Sequence, residues 1–260
     1  KSFTRSLGTK WTSNSTLAKG KLFKFQNPND VLASENVITS KPLLGELWQE
    51  GELCILFGPT NVGKSILAVE IGDAIASGGA ILSGNLKSGV EPIQVLYVDF
   101  EMSERQFKKR FNGRVFSPNF NRIVINYEEL NVQSFRQDVL PEIELKIEES
   151  KAKVLIIDNL SAIQADNAQA GDAAGLISEF LKLKRMRDLS ILLLGHTPKF
   201  PKGIPIEYTH LAGSSFLSHF LDSLFAINKA VNNTIYIKQL KQRDVAETYG
   251  EDNVLHCMIE

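Results

Sequence analysis

Apolar runs and amphipathic segments alternate along most of this chain. The apolar runs have the length of buried strands, and they occupy residues 52–57, 94–98, 122–127, 153–157 and 190–194. Segments with helical periodicity follow them at 65–76, 103–111, 134–150 and 172–187. This order predicts an α/β fold in which helices cover both faces of a mostly parallel central sheet.

Beyond residue 220 the pattern becomes rich in strands. Apolar runs at 223–228, 234–240 and 254–259 follow one another without a helical segment, and Asn232-Asn233 is typical of a hairpin turn. We therefore expect antiparallel strands at one edge of the sheet, near the C-terminus.

Residues 1–40 are polar and irregular, and they predict an N-terminal arm or linker with a short helix near 29–34. The pattern of strands and helices over residues 41–260 predicts one domain. Within it, Ser103 is a suitable helix N-cap, and Pro141 predicts a kink or break in the segment that contains it.

Composition narrows the classes of function without choosing one. The 260 residues are 43% hydrophobic and 23% charged with a net charge of -1, so no overall basic field indicates nucleic acid or an anionic membrane. No apolar run is long enough to cross a membrane. Cys54 and Cys257 lie far apart without the neighbours of a metal or redox site, and we expect reduced thiols in a cytoplasmic protein.

The sequence GPTNVGKS at 58–65 follows the first predicted strand and opens the first predicted helix. Its spacing is that of a phosphate-binding loop, in which backbone N–H groups and the positive end of the helix surround phosphate oxygens. Lys64 supplies a cation for the terminal phosphates, and the Ser65 hydroxyl is a ligand for Mg²⁺. The predicted nucleotide contacts are Gly58, Pro59, Thr60, Asn61, Val62, Gly63, Lys64, Ser65 and Ile66.

Acidic residues follow two other predicted strands. The fourth apolar run ends in Asp158, which we expect to hold Mg²⁺ with Ser65; an aspartate that caps a turn is the alternative. The second run continues into Asp99-Phe-Glu101, which places Asp99 and Glu101 on one face of the strand. We predict Glu101 as the base that orients and deprotonates the attacking water. Asp99 is the competing candidate, and a strand-end acid paired with a lysine is the alternative.

His196 follows the fifth predicted strand, in the sequence Gly-His-Thr. Imidazole can donate a hydrogen bond whether it is neutral or charged. At this position it would therefore detect the terminal phosphate, and a histidine with a structural role is the alternative.

The order of these motifs resembles that of RecA-like ATPases, and within them the hexameric helicases of the plasmid RepA and replicative DnaB types. The resemblance covers about residues 41–243. Its matching segments are Gly51-Glu-Leu53, the loop 58–65, Val95-Leu-Tyr-Val-Asp-Phe-Glu-Met102, Val154-Leu-Ile-Ile-Asp158, Gly195-His-Thr-Pro-Lys199, Leu211-Ala-Gly-Ser-Ser215 and Lys238-Gln-Leu-Lys-Gln-Arg243.

The resemblance implies a RecA-like, Mg²⁺-dependent ATPase with ATP as its nucleotide. It makes Glu101 the catalytic glutamate, His196 the phosphate sensor, and Lys241 and Arg243 a basic pair that reaches the nucleotide of a neighbouring subunit. A pair that acts in trans implies a homo-oligomeric ring, a hexamer in the helicases. For Lys241 and Arg243, a solvated edge strand protected by its charges is the alternative.

The resemblance also implies that the loop 197–210 faces a central channel and contacts single-stranded DNA through Lys199 and Lys202; an ordinary surface loop is the alternative. The predicted function is a helicase-like ring motor acting in replication or mobile-element maintenance. A nucleotide-switched assembly or signalling ATPase without DNA unwinding is the second possibility. A small-molecule kinase is disfavoured, because the arginines within 105–114 come too early for the usual lid.

Overall fold

A computed structural model of the protein describes residues 25–33, 40–126, 138–160, 172–198, 201, 203–211 and 219–258. The chain divides into two units, Lys1–Thr39 and Ser40–Glu260. In the first unit, the described residues include the short helix α1 (Pro28–Ala33), none of whose residues is buried.

The second unit contains four helices and twelve strands among its described residues. The helices are α2 (Lys64–Ser77), α3 (Glu104–Arg110), α4 (Leu140–Ser150) and α5 (Asp172–Arg187). The strands are β1 (Pro42–Leu44), β2 (Trp48–Gln49), β3 (Leu53–Gly58), β4 (Ala80–Ile81), β5 (Leu86–Lys87), β6 (Val95–Asp99), β7 (Phe120–Val124), β8 (Val154–Asp158), β9 (Ser190–His196), β10 (Ser223–Lys229), β11 (Ile235–Lys241) and β12 (Leu255–Cys257). Short 3-10 helices cover Leu82–Gly84 and Tyr208–His210.

The main sheet has eight strands in the order β12-β11-β10-β3-β9-β8-β6-β7. All neighbours from β10 to β7 are parallel, and β11 and β12 extend the β10 edge in the antiparallel direction. The α/β fold with a mostly parallel sheet and antiparallel strands at one edge is therefore confirmed. The pairs β1–β2 and β4–β5 form two further small sheets. The sequence did not predict them, because strands of two or three residues are too short to show a periodic pattern.

Two apolar cores cover the faces of the main sheet. On one face, α2 contributes Leu67, Val69 and Ile71. On the other face, α4 and α5 contribute buried side chains such as Ile147 and Phe180. Burial on both faces explains why the central strands are continuous apolar runs rather than alternating ones.

Several element boundaries differ from the sequence-based expectation. Pro141 lies in the first turn of α4, where its missing N–H costs no hydrogen bond, so it begins the helix instead of kinking it. Residues 134–137 of that predicted helix lie outside the described residues. β7 covers Phe120–Val124 instead of the predicted 122–127, because Phe120 and Asn121 already pair with Val95 and Leu96 of β6.

Two findings concern the expectations drawn from composition. Both cysteines are free, Cys54 being buried and Cys257 half-buried. In the part of the chain that the structure describes, no helix combines the length and apolar character needed to cross a bilayer.

Candidate functional site

The predicted phosphate loop forms the turn between β3 and α2. At the end of β3, Gly58 pairs with His196 of β9. A Cβ on Gly58 would collide with the carbonyl oxygen of Ile227 on β10, so this close approach of two strands requires glycine. Asn61 and Gly63 have left-handed backbones, with φ of 62° and 100°. They turn the chain sharply just ahead of the helix.

Lys64 is a buried cation at the start of α2, with 6% of its surface exposed. Its Nζ donates hydrogen bonds to the carbonyl oxygens of Gly58 at 3.0 Å and Pro59 at 2.8 Å. Burial lowers the pKa of this ammonium, and the carboxylates of Glu101 and Asp158 oppose that shift. Neutral carbonyls are weaker partners for a buried cation than an anion would be, so incoming phosphate oxygens can replace them.

A cavity of about 200 Å³ lies against the loop. Its lining includes eight residues predicted from the sequence: Thr60, Asn61, Gly63, Lys64, Ser65, Ile66, Glu101 and His196. Arg110 also lines it. Gly58 and Pro59 lie in the same loop but do not line the cavity, and Val62 is buried in the core beside α2.

Asp158 ends β8 and is 1% exposed. Its Oδ2 accepts a 2.6 Å hydrogen bond from the Tyr97 hydroxyl, whereas Oδ1 is buried with no hydrogen-bond partner in the described part of the chain. Burial raises the pKa of Asp158 to about 6, with the carboxylates of Glu101 and Asp99 adding to the rise. The hydroxyls of Tyr97 and Ser65 lower this pKa, although Ser65 does not reach hydrogen-bond geometry at Oδ1.

The orphaned Oδ1 of Asp158 and the hydroxyl of Ser65 are hard oxygen donors of the kind that Mg²⁺ prefers. Among the described residues, no cluster of three or more histidine, cysteine or acidic side chains could hold a metal. Mg²⁺ takes most of its ligands from water and substrate phosphates, so two protein oxygens are sufficient to hold it. The residues present therefore fit the predicted ion.

Asp99 and Glu101 have different surroundings. Asp99 is 3% exposed; its Oδ2 pairs with Arg122 at 2.9 Å, and its Oδ1 accepts from the backbone N–H groups of Glu101 at 3.0 Å and Met102 at 2.8 Å. Both of its oxygens are thus occupied in fixing the turn. Glu101 is exposed, lines the cavity and accepts a 2.7 Å hydrogen bond from Nδ2 of Asn159. Of the two acids, Glu101 is therefore placed to meet a ligand.

His196 is half-buried at the end of β9. Burial and the positive charge of Lys64 lower its pKa, while Glu101 opposes the shift. The imidazole is therefore predominantly neutral at neutral pH, with one ring nitrogen able to donate a hydrogen bond.

Four residues of the site escaped sequence analysis: Tyr97, Arg110, Arg122 and Asn159. Tyr97 and Arg122 are register partners on β6 and β7, and only the pairing of those strands brings them to the acids. Arg110 ends α3, and that helix returns it to the cavity. Asn159 directly follows Asp158, so a polar residue at the end of that strand was a signal available from the sequence.

Lys241 and Arg243 lie away from the cavity. Lys241 pairs with Leu224 at the beginning of β10, whereas the phosphate loop follows the ends of the parallel strands. Its Nζ donates to the carbonyl oxygen of Leu221 at 2.6 Å, and Arg243 pairs with Asp222 at 3.3 Å. The pair thus does not contact its own phosphate loop.

The predicted DNA contacts Lys199 and Lys202 lie outside the described residues. Tyr208, in the same loop, is described: it is half-buried and packs against the core beside α5.

Comparison with known proteins gives consistent matches. A family profile described as an AAA domain matches residues 24–201. The DNA repair protein RadA of Streptococcus pyogenes is 24% identical over 208 residues, covering 78% of this chain and 38% of that protein. RadA of Aquifex aeolicus is 24% identical over 195 residues, covering 75% and 38%. The chain thus spans 38% of the length of these curated relatives.

A solved structure shows the fold. A KaiC-like protein from the hyperthermophilic archaeon Pyrococcus horikoshii matches with a TM-score of 0.56 and 14% identity, over 85% of this chain and 97% of that one. The likeness confirms a RecA-like fold. The matches support a RecA-like P-loop ATPase, and the narrower resemblance to RepA- and DnaB-type helicases stays a prediction.

Asp158→Asn is expected to stabilise the protein, free of nucleotide and metal, increasingly as the pH rises from about 4 to 7. The folded-state pKa of about 6 exceeds that of an unfolded aspartate, about 4. Protonated Asp158 therefore stabilises the folded state fully below about pH 4. This contribution, about 2 kcal/mol, is lost as the pH rises through about 6 and the buried carboxyl ionises. Asparagine does not ionise and avoids that cost.

Urea unfolding of wild type and variant across this pH range measures the difference. Asp252→Asn, at an exposed carboxylate, is the matched control and should show no such trend. A difference that is constant with pH would contradict the burial of a titrating Asp158.

Arg122→Gln is expected to lower the free energy of unfolding by about 3 kcal/mol, because it leaves the buried carboxylate of Asp99 without its cation. Adding Asp99→Asn should recover part of that loss, since the double variant buries no unpaired charge. Chemical denaturation of both single variants and the double variant gives the coupling energy. Lys108→Gln, which breaks an exposed pair with Glu104, serves as control; a loss no larger than this control's would refute the argument.

Proposed function

The chain belongs to the AAA domain family, and on that premise we propose that residues 41–260 form a Mg²⁺-dependent ATPase that assembles as a ring and acts on single-stranded DNA. The observation that carries the proposal is the cavity where the phosphate loop, Glu101 and His196 meet. These groups come from three strands and supply a phosphate site, a base and a hydrogen-bond donor. The DNA repair role in the name of the RadA relatives supports DNA as the partner.

ATP binds with its terminal phosphates in this cavity. Lys64 exchanges the carbonyl oxygens of Gly58 and Pro59 for phosphate oxygens and gains charge-assisted hydrogen bonds. The backbone N–H groups at the start of α2 add to the attraction. Ser65 and Asp158 would hold Mg²⁺, which would neutralise charge on the phosphates.

Glu101 accepts the proton of the attacking water. The water oxygen bonds to the γ-phosphorus as the bond to the bridging oxygen breaks, so ADP and phosphate are the products. Asn159 occupies Oε2 of Glu101 and so orients the carboxylate towards the water. Asp99 and Arg122 act as positioning residues, because they fix the backbone of the turn that carries Glu101.

His196 detects the terminal phosphate by donating a hydrogen bond to it, and Arg110 supplies a cation from the same subunit. Thr197, which begins the predicted DNA loop, donates its backbone N–H to Gly58 of the phosphate loop at 3.3 Å. A hydrogen bond therefore joins the phosphate loop directly to the start of the predicted DNA loop. Loss of the terminal phosphate can thus alter the conformation of the predicted DNA loop through the end of β9, which precedes that loop.

Lys241 and Arg243 serve the nucleotide of the neighbouring subunit. They lie at the opposite end of the sheet from their own phosphate loop, which is the placement that a contribution in trans requires. Assembly replaces their partners, the Leu221 carbonyl and Asp222, with phosphate oxygens. The active site is then complete only between subunits.

Steady-state ATP hydrolysis with and without single-stranded DNA tests the proposal. We expect activity that needs Mg²⁺, is removed by EDTA and rises with DNA. Lys64→Ala should lower it by about 100-fold, as the loss of a main electrostatic contact to the reacting phosphate does. Lys87→Ala, at an exposed lysine, is the control and should match wild type.

Hydrolysis that is indifferent to DNA would remove the nucleic-acid partner and favour the nucleotide-switched assembly ATPase. No hydrolysis by wild type under any of these conditions would refute the enzyme.

Mixing two inactive variants tests the contribution in trans. Glu101→Gln removes the base, and Arg243→Ala removes the cation that serves the neighbour. In a mixed ring, some interfaces join an intact Glu101 to an intact Arg243, so the mixture should hydrolyse ATP although each variant alone is nearly inactive. A mixture that stays as inactive as its components, with assembly verified by light scattering, would contradict the role of Arg243 in trans.

A further inference from the structure

A second cavity, of about 380 Å³, lies at the antiparallel edge of the sheet and shares no lining residue with the nucleotide cavity. Tyr236 and Lys238 on β11 form part of its lining, with His256 on β12. The loop residues Ile204 and Pro205 line it as well. Its volume is within the range of cavities that hold small organic ligands.

Lys238 is the unusual group in this cavity. The residue as a whole is 8% exposed, but its Nζ is not among the fully buried atoms without a partner, and no described residue forms a hydrogen bond or ion pair with it, so the ammonium meets the water of the cavity. Its cross-strand neighbour is Ala226, and Leu240, two positions along the same strand, packs in the apolar core. The apolar stem of this lysine is thus buried while its charged end faces the cavity, the usual arrangement of a long cationic side chain.

Other cations held inside this domain are satisfied. Lys64 bonds two carbonyl oxygens, Lys184 pairs with Asp222 at 2.6 Å, and Arg122 pairs with Asp99. Lys238 differs from these cations in that no described residue pairs with it, so an anion inside the cavity can serve as its partner. Glu251, the acidic residue in the lining, is exposed and forms no ion pair with Lys238.

The cavity is held open by hydrogen bonds on its loop side. The Tyr236 hydroxyl accepts from the backbone N–H of Ile206 at 3.3 Å and from Nδ2 of Asn228 at 3.1 Å. These bonds fasten the loop to β10 and β11, so a ligand meets a formed site. The remaining lining is largely apolar, including Ile204, Val231 and Val254.

We propose that this cavity binds a small organic acid, whose carboxylate pairs with Lys238 and whose apolar body packs against Ile204, Val231 and Val254. A nucleic-acid backbone fits less well, because phosphates along a strand meet exposed cations and Lys238 is buried. The exposed Lys229 and His256 also line the cavity and favour the approach of an anion. This site is independent of the proposed ATPase activity.

Titration calorimetry and thermal unfolding of the full chain test the site, with benzoate and hexanoate as probes and the neutral benzamide and hexanamide as matched controls. Wild type should bind the carboxylates saturably and the amides weakly or not at all. Lys238→Met should weaken carboxylate binding by about tenfold or more, because a charge-assisted hydrogen bond is lost. Lys229→Met, at an exposed lysine of the lining, should cause a smaller loss.

The ligand-free Lys238→Met protein should melt at a temperature close to that of wild type, since methionine keeps the buried apolar stem and removes an ammonium that meets the water of the cavity. A lower melting temperature would make Lys238 a structural residue and overturn the proposal. So would failure of wild type to bind either carboxylate, equal binding of acids and amides, or unchanged binding in Lys238→Met. If Lys238→Met instead weakens binding of single-stranded oligonucleotides and leaves carboxylate binding unchanged, the cavity belongs to a nucleic-acid surface and the proposal is wrong.

Discussion

Hydrogen bonding between parallel strands aligns β6, β8, β9 and β3 so that their last residues reach the same edge of the sheet. Asp99 lies beside Asp158, and Gly58 lies beside His196. The backbone ladder alone thus gathers groups that are far apart in the chain, and α2 adds Lys64 and its positive end where β3 stops. The sparse metal ligands, the buried acid and the phosphate loop share one place because the ladder allows only this register.

The charges near that edge fall into two kinds. Asp99 is fully paired with Arg122 and two backbone N–H groups, and it fixes the turn that carries Glu101. By contrast, Asp158 keeps an orphaned oxygen, and Lys64 bonds only neutral carbonyls. Paired charges support the geometry, whereas the cost of burying incompletely paired charges is offset only when a ligand binds. The free protein is less stable for carrying them, which is a usual feature of functional sites.

The antiparallel extension separates a basic stretch of sequence into different environments. The register of β11 on β10 shifts between Gln239 and Lys241, so Lys238 pairs with Ala226 and Lys241 with Leu224, two residues nearer the beginning of β10. Lys238 therefore lines the second cavity, whereas Lys241 lies with Arg243 towards the beginning of β10. A charge run that looks uniform in the sequence therefore contains a lysine with a buried stem and a more exposed pair with partners of its own.

The sequence by itself determined the class of fold and the phosphate loop, because both depend on local periodicity and on fixed spacing. It also picked out the strand-end residues Glu101, Asp158 and His196, since in a parallel sheet the ends of strands meet. It predicted Glu101 as the base and kept Asp99 as the competing candidate, and only the tertiary structure shows that β7 brings Arg122 beside Asp99. Arg110 and the surroundings of Lys238 were likewise beyond sequence reasoning, because burial and partners across strands arise only when distant segments pack, whereas Asn159 directly follows Asp158 and could have been found from the sequence. Local motifs can be recognised in the sequence alone, whereas the pairing of charges depends on the tertiary structure.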